Sequence, residues 1–172
     1  PPGVTLALSA NTATVTAGVF RHAPQEALRV GAGDAGTANV TVTNSLLVRD
    51  GGAWNTVSGI GIGARLSVLN STLVGGKIGI MLDENAHLDR LVNSIVAFHT
   101  EAGLGMAHGA MPSTDVRYNN VYNPGATLGN YIGMQDYTGL QGNVSADPLF
   151  ENRAGVDFRL GDSSPAVDAG DG

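Results

Sequence analysis

The side chains best suited to chemistry in this sequence stand singly rather than in a motif. Arg29, Lys77, Glu101, His108, Tyr131 and Asp136 supply cations, carboxylates, an imidazole and a phenol. Asp83 and Glu84 are adjacent carboxylates, with His87 close behind. Such a pair could contribute to a Ca²⁺ site, but Ca²⁺ takes six to eight oxygen ligands and usually several carboxylates. Neighbouring residues of an extended segment diverge, so a solvated turn is the better reading of Asp83 and Glu84. His22, His87, His99 and His108 form no His-x-His or His-x-x-x-His pair, and no metal site is expected. His99 and Glu101 could do acid–base work, although a lone His near a Glu is common on surfaces. No carboxylate pair has a glycosidase-like context. Gly59-Ile60-Gly61-Ile62-Gly63 has the look of a phosphate-binding loop, but it alternates as a strand does and no helix start follows. What remains is binding chemistry. Arg29, Trp54, Lys77, His108 and Tyr131 are candidate ligand-binding residues, because aromatic faces stack on sugar rings and polar tips bond hydroxyls.

The elements that would hold these residues are strands. The 172-residue chain has the length of one domain. It holds 25 glycines and is only 14% charged, well below the usual quarter or so, with Lys77 its single lysine. Helical surfaces draw on Lys, Glu, Gln and Arg. This chain is rich instead in Val, Thr, Asn and Gly, the residues of strands and tight turns. Its net charge is −6 and its nine basic residues are scattered, which argues against a nucleic-acid footprint. No apolar run approaches the roughly 18 residues of a membrane span. The absence of cysteine excludes a small disulfide scaffold and suits an extracellular or bacterial cell-surface protein. The opening Pro1-Pro2-Gly3 runs straight into strand-like sequence and reads as part of something longer.

A repeat organises the strands. Val40-Thr41-Val42-Thr43-Asn44-Ser45-Leu46-Leu47-Val48 returns as Leu66-Ser67-Val68-Leu69-Asn70-Ser71-Thr72-Leu73-Val74 and as Arg90-Leu91-Val92-Asn93-Ser94-Ile95-Val96. Val116-Arg117-Tyr118-Asn119-Asn120-Val121-Tyr122 is a fourth copy, in which Asn119 and Asn120 compete for the Asn position. An earlier, weaker copy puts Ala17 there. A period in the twenties admits leucine-rich repeats or parallel β-helices; neither fixed leucines nor a helix per repeat is visible, so the β-helix is preferred. Asn tolerates the left-handed conformation of a sharp bend, and its amide could bond its counterparts above and below as a ladder. Asp89 falls at an otherwise inward offset, which suggests a bulge in the third copy.

A second strand recurs between these phrases. With period two, Leu28, Ile60, Ile78, Leu104 and Ile132 are expected to form one inward stack, and Val30, Ile62, Ile80, Met106 and Met134 the next. Arg29, Gly61, Gly79, Gly105 and Gly133 would then face outward as a shallow track. Loops 49–57 and 108–113 would wall it, the first carrying Trp54. Coils stacked about 4.8 Å apart share one core, so the expected fold is all-β: a single-stranded parallel β-helix of about five coils over 1–141. Thr5, Thr12, Thr14, Thr16, Thr41 and Thr43 could face outward as an ice-binding type of array, but later coils do not repeat it.

The pattern changes from about Gly142. Asn143-Val144-Ser145-Ala146-Asp147-Pro148-Leu149-Phe150, Val156-Asp157-Phe158-Arg159-Leu160 and Asp162-Ser163-Ser164-Pro165-Ala166-Val167-Asp168-Ala169-Gly170 follow in order. This segment resembles the closing segment of bacterial right-handed parallel β-helix repeat proteins of the pectate-lyase-like superfamily, over residues 143–170. The coils extend the resemblance over most of 13–135. It implies a right-handed solenoid with 142–172 as its C-terminal cap, and Leu149, Phe150, Phe158 and Leu160 could cover the last coil. The start lacks a matching device, so further N-terminal coils or a partner could cover that end.

Three functions are expected from this surface and fold, and analogy of fold sets their order. The first is a secreted or cell-surface domain that binds carbohydrate or another extended polymer, without cofactor or chemistry of its own. The second is a polysaccharide lyase acting on an acidic polysaccharide through an Arg or Lys base. Only under that reading does Ca²⁺ enter, neutralising the uronate and acidifying its proton. No run matches the catalytic motifs of such lyases. The third is a structural surface module or adhesin segment.

Overall fold

A computed structural model describes residues 4–8, 11–21, 25–32, 37–49, 52–61, 63–83, 85–107, 110 and 115–170. The chain coils through three strands per rung. The first rung is β1 (Val4–Leu8), β2 (Asn11–Thr16) and β3 (Val19–Phe20). The second is β4 (Leu28–Ala32), β5 (Ala38–Thr43) and β6 (Leu46–Arg49). The third is β7 (Val57–Ile60), β8 (Ala64–Leu69) and β9 (Thr72–Gly75). The fourth is β10 (Ile78–Leu82), β11 (His87–Val92) and β12 (Ile95–Ala97). The fifth is β13 (Ala102–Met106), β14 (Asp115–Arg117) and β15 (Asn120–Tyr122). β16 (Tyr131–Ile132) begins a further rung, and β17 (Phe150–Asn152) pairs antiparallel with β18 (Asp157–Leu160).

Corresponding strands stack in parallel into three sheets. Sheet A runs β1-β4-β7-β10-β13-β16, sheet B β2-β5-β8-β11-β14 and sheet C β3-β6-β9-β12-β15. The stacked parallel sheets make the all-β chain a β-solenoid of about four turns, where the repeat predicts about five coils. Among the described residues no helix is long and apolar enough to cross a membrane.

The core is a set of columns, each built from one position of the repeat. In sheet B, Val15, Val42, Val68, Leu91 and Val116 stack in register. In sheet C, Phe20, Leu47, Leu73, Val96 and Val121 do so. From Val42 and Leu47 onward these residues are fully buried. Each buried Val or Leu contributes about 1.5–3 kcal/mol, and a coil gains this only by lying on its neighbours. The bulge expected at Asp89 is present: the pairing of β11 with β8 shifts between Leu88 and Arg90. Asp89 there meets the Arg65 guanidinium at 2.5 and 2.9 Å.

The bend between sheets B and C corrects the expected ladder. Asn44, Asn70 and Asn93 do adopt positive φ, at 50°, 47° and 52°. Yet the residues that bond from rung to rung are the buried serines that follow them. The N–H of Gly18 donates to Ser45 Oγ, that of Ser45 to Ser71 Oγ and that of Ser71 to Ser94 Oγ, all at 3.1–3.2 Å. Each serine hydroxyl donates in turn to the carbonyl two residues back: Thr43, Leu69 and Val92. A hydroxyl both accepts and donates, so one side chain saturates two backbone groups per rung. At the far end of the ladder asparagine takes the serine position, as Asn119 and Asn143 do. The rivalry between Asn119 and Asn120 is thereby resolved. Tyr118 takes the left-handed position at φ 54°, as Ala17 does at 51° in the first rung, and Asn119 stands in for serine.

Sheet A corrects the register. Leu28 pairs with Val57, not Ile60; Val57 with Ile80; Ile80 with Leu104; and Leu104 with Tyr131, not Ile132. The next column is Val30, Gly59, Leu82 and Met106. Gly61 lies past the end of β7 with φ 94°, and Gly133 past β16 with φ 68°. A β carbon on Gly79 would point inward, 2.5 Å from Val96 Cγ1 and 2.8 Å from His99 Nε2. Of the four glycines expected on the outer face, only Gly105 lies there, between Met81 and Ile132. The face is therefore not a glycine track. Its central column is Arg29, Ser58, Met81, Gly105 and Ile132.

The C-terminal segment runs along the flank of the stack. Phe150 packs against Phe98 at 6.2 Å and against Phe158 at 5.2 Å. Leu160, Ala166, Ala169 and Gly170 form one wall of a groove of about 210 Å³ whose other wall is the B–C bend from Asn70 to Asn120. Val48, Val74 and Ala97 alternate outward from the sheet C column, yet all are buried.

Candidate functional site

The outer face of sheet A carries a cleft of about 220 Å³ lined by Glu26, Ala53, Trp54, Asn55, Ser58, Lys77, Met81 and Asp83. Its wall is the segment from Gly52 to Thr56, which is clamped to the next rung. The Trp54 carbonyl accepts from Lys77 N at 2.9 Å, Thr56 N donates to the Ile78 carbonyl at 2.8 Å, and Thr56 Oγ1 donates to the Gly75 carbonyl at 2.7 Å. The Thr56 carbonyl accepts from Ala27 and Leu28 on the rung before. Trp54 is thus held by its own backbone, and the residue is 44% exposed.

The floor is a short polar relay. Asn55 Nδ2 donates to Ser58 Oγ at 3.2 Å, and Ser58 Oγ donates to Glu26 Oε1 at 3.4 Å. Glu26 is only 8% exposed, and Asn55 Oδ1 is buried without a hydrogen-bond partner. Lys77 Nζ lies 3.4 Å from Glu101 Oε2. The cleft therefore sets an aromatic face beside an ammonium, two carboxylates, an amide and a hydroxyl.

Three of the expected ligand-binding residues come to this face. Trp54 and Lys77 line the cleft, and Arg29 is exposed on the rung beside Ser58. Tyr131 does not join them. Its pairing with Leu104 turns it into the core column, where it packs near Tyr137 at 6.0 Å, and its hydroxyl is buried without a partner. Burial raises the Tyr131 phenol above its ordinary value, so the group stays protonated. His108, Glu84 and His22 lie outside the described residues. Asp83 is in the cleft, whereas Asp136 accepts from Thr138 N in a turn and His87 sits on sheet B opposite Arg65.

Glu26, Asn55 and Ser58 escaped the sequence reading because of the register. With β7 placed around Ile60, Ser58 falls outside the strand; with Val57 under Leu28, it falls beside Arg29. His99 is no surface acid–base group. It is 2% exposed at the corner between sheets C and A, and neither ring nitrogen has a hydrogen-bond partner. Burial lowers its pKa to about 4, although the nearby carbonyls of Gly75 and Leu73 favour the charged form. Among the described residues, no three His, Asp or Glu side chains gather as a metal-holding group.

Compared with known proteins, the chain matches no family model, no curated protein and no solved structure.

Proposed function

We propose that this chain is a β-helix module of a secreted or cell-surface protein that binds carbohydrate or another extended polymer on the outer face of sheet A, without chemistry of its own. The observation that carries this reading is the cleft itself. Trp54, fixed and half-exposed, offers its ring beside Asn55, Ser58, Lys77 and Glu26. Aromatic stacking with a ring of hydrogen-bonding tips suits sugar recognition. A flat sheet flanking the cleft lets a chain longer than the cleft continue across neighbouring rungs. The same reading takes the winding as right-handed, the hand of nearly all parallel crossovers, and residues 142–172 as the closing segment of a pectate-lyase-like solenoid.

Retention on insoluble glycans tests it. Trp54→Ala is expected to weaken retention about tenfold, the loss of one stacked ring. Retention unchanged by Trp54→Ala, or no binding across a broad glycan array, rejects the reading and leaves a structural surface module.

A lyase acting on an acidic polysaccharide is the second reading, favoured by one fact: Lys77 shares the cleft with the carboxylates of Glu26 and Asp83. It requires a Ca²⁺-dependent rise in absorbance from unsaturated uronate products, and its absence on pectate and alginate rejects it.

A further inference from the structure

We propose that Arg49 is the recognition group of a small-oxyanion site beneath the Gly52–Trp54 segment. Arg49 closes β6 and pairs with Gly75 of β9. It is 7% exposed, its Nε is buried without a hydrogen-bond partner, and no described carboxylate forms an ion pair with it. Other cations of the stack do have partners: Arg65 has Asp89, Lys77 has Glu101, and Arg90 and Arg117 share Asp115.

A buried charge without a counter-charge is costly. His99, on the same corner two rungs further on, avoids that cost by remaining neutral. A guanidinium has no such escape, because it does not lose its proton in proteins. Arg49 Nε is the buried, unpartnered atom at this corner, and an oxyanion would supply the group with an acceptor.

Glycines pack closely along the Arg49 side chain. A β carbon on Gly76, at φ 82°, would fall 2.9 Å from Arg49 Cγ, so this glycine makes space for the stem. A β carbon on Gly52, at φ 95°, would fall 3.1 Å from the terminal Nη2. Gly52 is itself exposed, so the missing side chain leaves the guanidinium tip approachable from outside. The planar fork of Arg matches two oxygens of a phosphate or carboxylate. The site lies on the inner side of the segment that carries Trp54, and it stands independently of glycan binding in the cleft.

The test is thermal unfolding and calorimetry of the whole chain with inorganic phosphate and with acetate, against chloride at matched ionic strength. Saturable binding is expected, with the melting temperature raised by roughly 3–6 °C at about tenfold excess over the dissociation constant. Response to phosphate alone assigns a tetrahedral oxyanion; response to acetate as well assigns any oxyanion. Arg49→Met should abolish the response while melting in chloride no lower than the native chain, because it removes an unbalanced charge. Gly52→Ala should weaken binding. A native chain that shows no saturable heat with either anion overturns the site, whatever the folding of the variants. An Arg49→Met protein that responds as the native chain does overturns it equally.

Discussion

Ser94 donates its backbone N–H to Asn119 Oδ1 at 2.9 Å, and at this bond the ladder of the B–C bend passes from serine to asparagine. Asn119 reaches further than the serines do. Its Nδ2 donates both to the Leu91 carbonyl at 2.8 Å and to Asn143 Oδ1 at 2.9 Å. Asn143 continues the ladder into the segment after the fifth rung, where Val144 bridges Asn120.

Ser71→Ala removes one rung of that ladder. The buried Ser45 N–H loses its acceptor and the Leu69 carbonyl loses a donor. The expected loss is about 1–3 kcal/mol, the cost of stranding a buried polar group. Asn119→Ala should cost at least as much, since it removes bonds to the Ser94 N–H, the Leu91 carbonyl and Asn143 Oδ1. Urea denaturation measures both, and a Ser71→Ala midpoint equal to that of the native chain refutes the ladder's role.

Asn70 is a test of the left-handed bend. It is exposed with φ 47°, so its side chain contributes mainly through conformational tolerance. Asn70→Gly is expected to stay within about 0.5 kcal/mol, while Asn70→Val should cost about 1–2 kcal/mol because a β-branched residue resists that region. Equal stability of the two variants contradicts this account.

His99 makes the fold acid-sensitive in a defined window. In the folded chain burial holds its pKa near 4, against 6.5 in the unfolded chain. Between these values only the unfolded state binds the proton, so stability falls as pH drops from about 6.5 to about 4, by about 3 kcal/mol in total. Asp157 acts lower. The side-chain hydrogen bond from Arg159 holds its pKa near 2, so its contribution fades only below about pH 3.8. His99→Gln should therefore flatten the upper window and leave the lower one intact. Parallel pH–stability curves for the variant and the native chain rule out His99 as the source.

Phe150→Ala loosens the flank. Phe150 joins Phe98, on the corner after β12, to Phe158 of the closing hairpin. Its removal is expected to cost about 2 kcal/mol, below the range for a fully buried Phe. Amide exchange at Val48, Val74 and Ala97 should quicken. Exchange there that does not change shows that the segment does not protect sheet C.

Period and bends were legible in the sequence because each coil repeats one pattern of alternating apolar residues followed by a residue tolerant of positive φ. Even Ala17 was placed correctly in the weakest copy. Two features were hidden. In Gly59-Ile60-Gly61-Ile62-Gly63, alternation alone permits more than one register, and the choice is made by Val57 fitting between Leu28 and Ile80. In the bends, asparagine is conspicuous at the left-handed position, with Asn44 and Asn70 exposed, while the small serine behind it bonds from rung to rung. The cleft inherited the register problem: Trp54 and Lys77 stand out by type, whereas Ser58 and Glu26 gain meaning only once the rungs are aligned.

The placement of the C-terminal segment bears on how the molecule comes apart. A solenoid whose rungs touch only their neighbours behaves as a linear chain of coupled elements and can fray from either tip. Here Leu160, Ala166, Ala169 and Gly170 face the bends of the third, fourth and fifth rungs across one groove, and a β carbon on Gly170 would lie 3.3 Å from Asn93 Oδ1 of the fourth. The segment acts as a splint across the repeats. A segment spanning several bends is expected to couple coils that share no strand pairing, so that release is more collective than stepwise peeling.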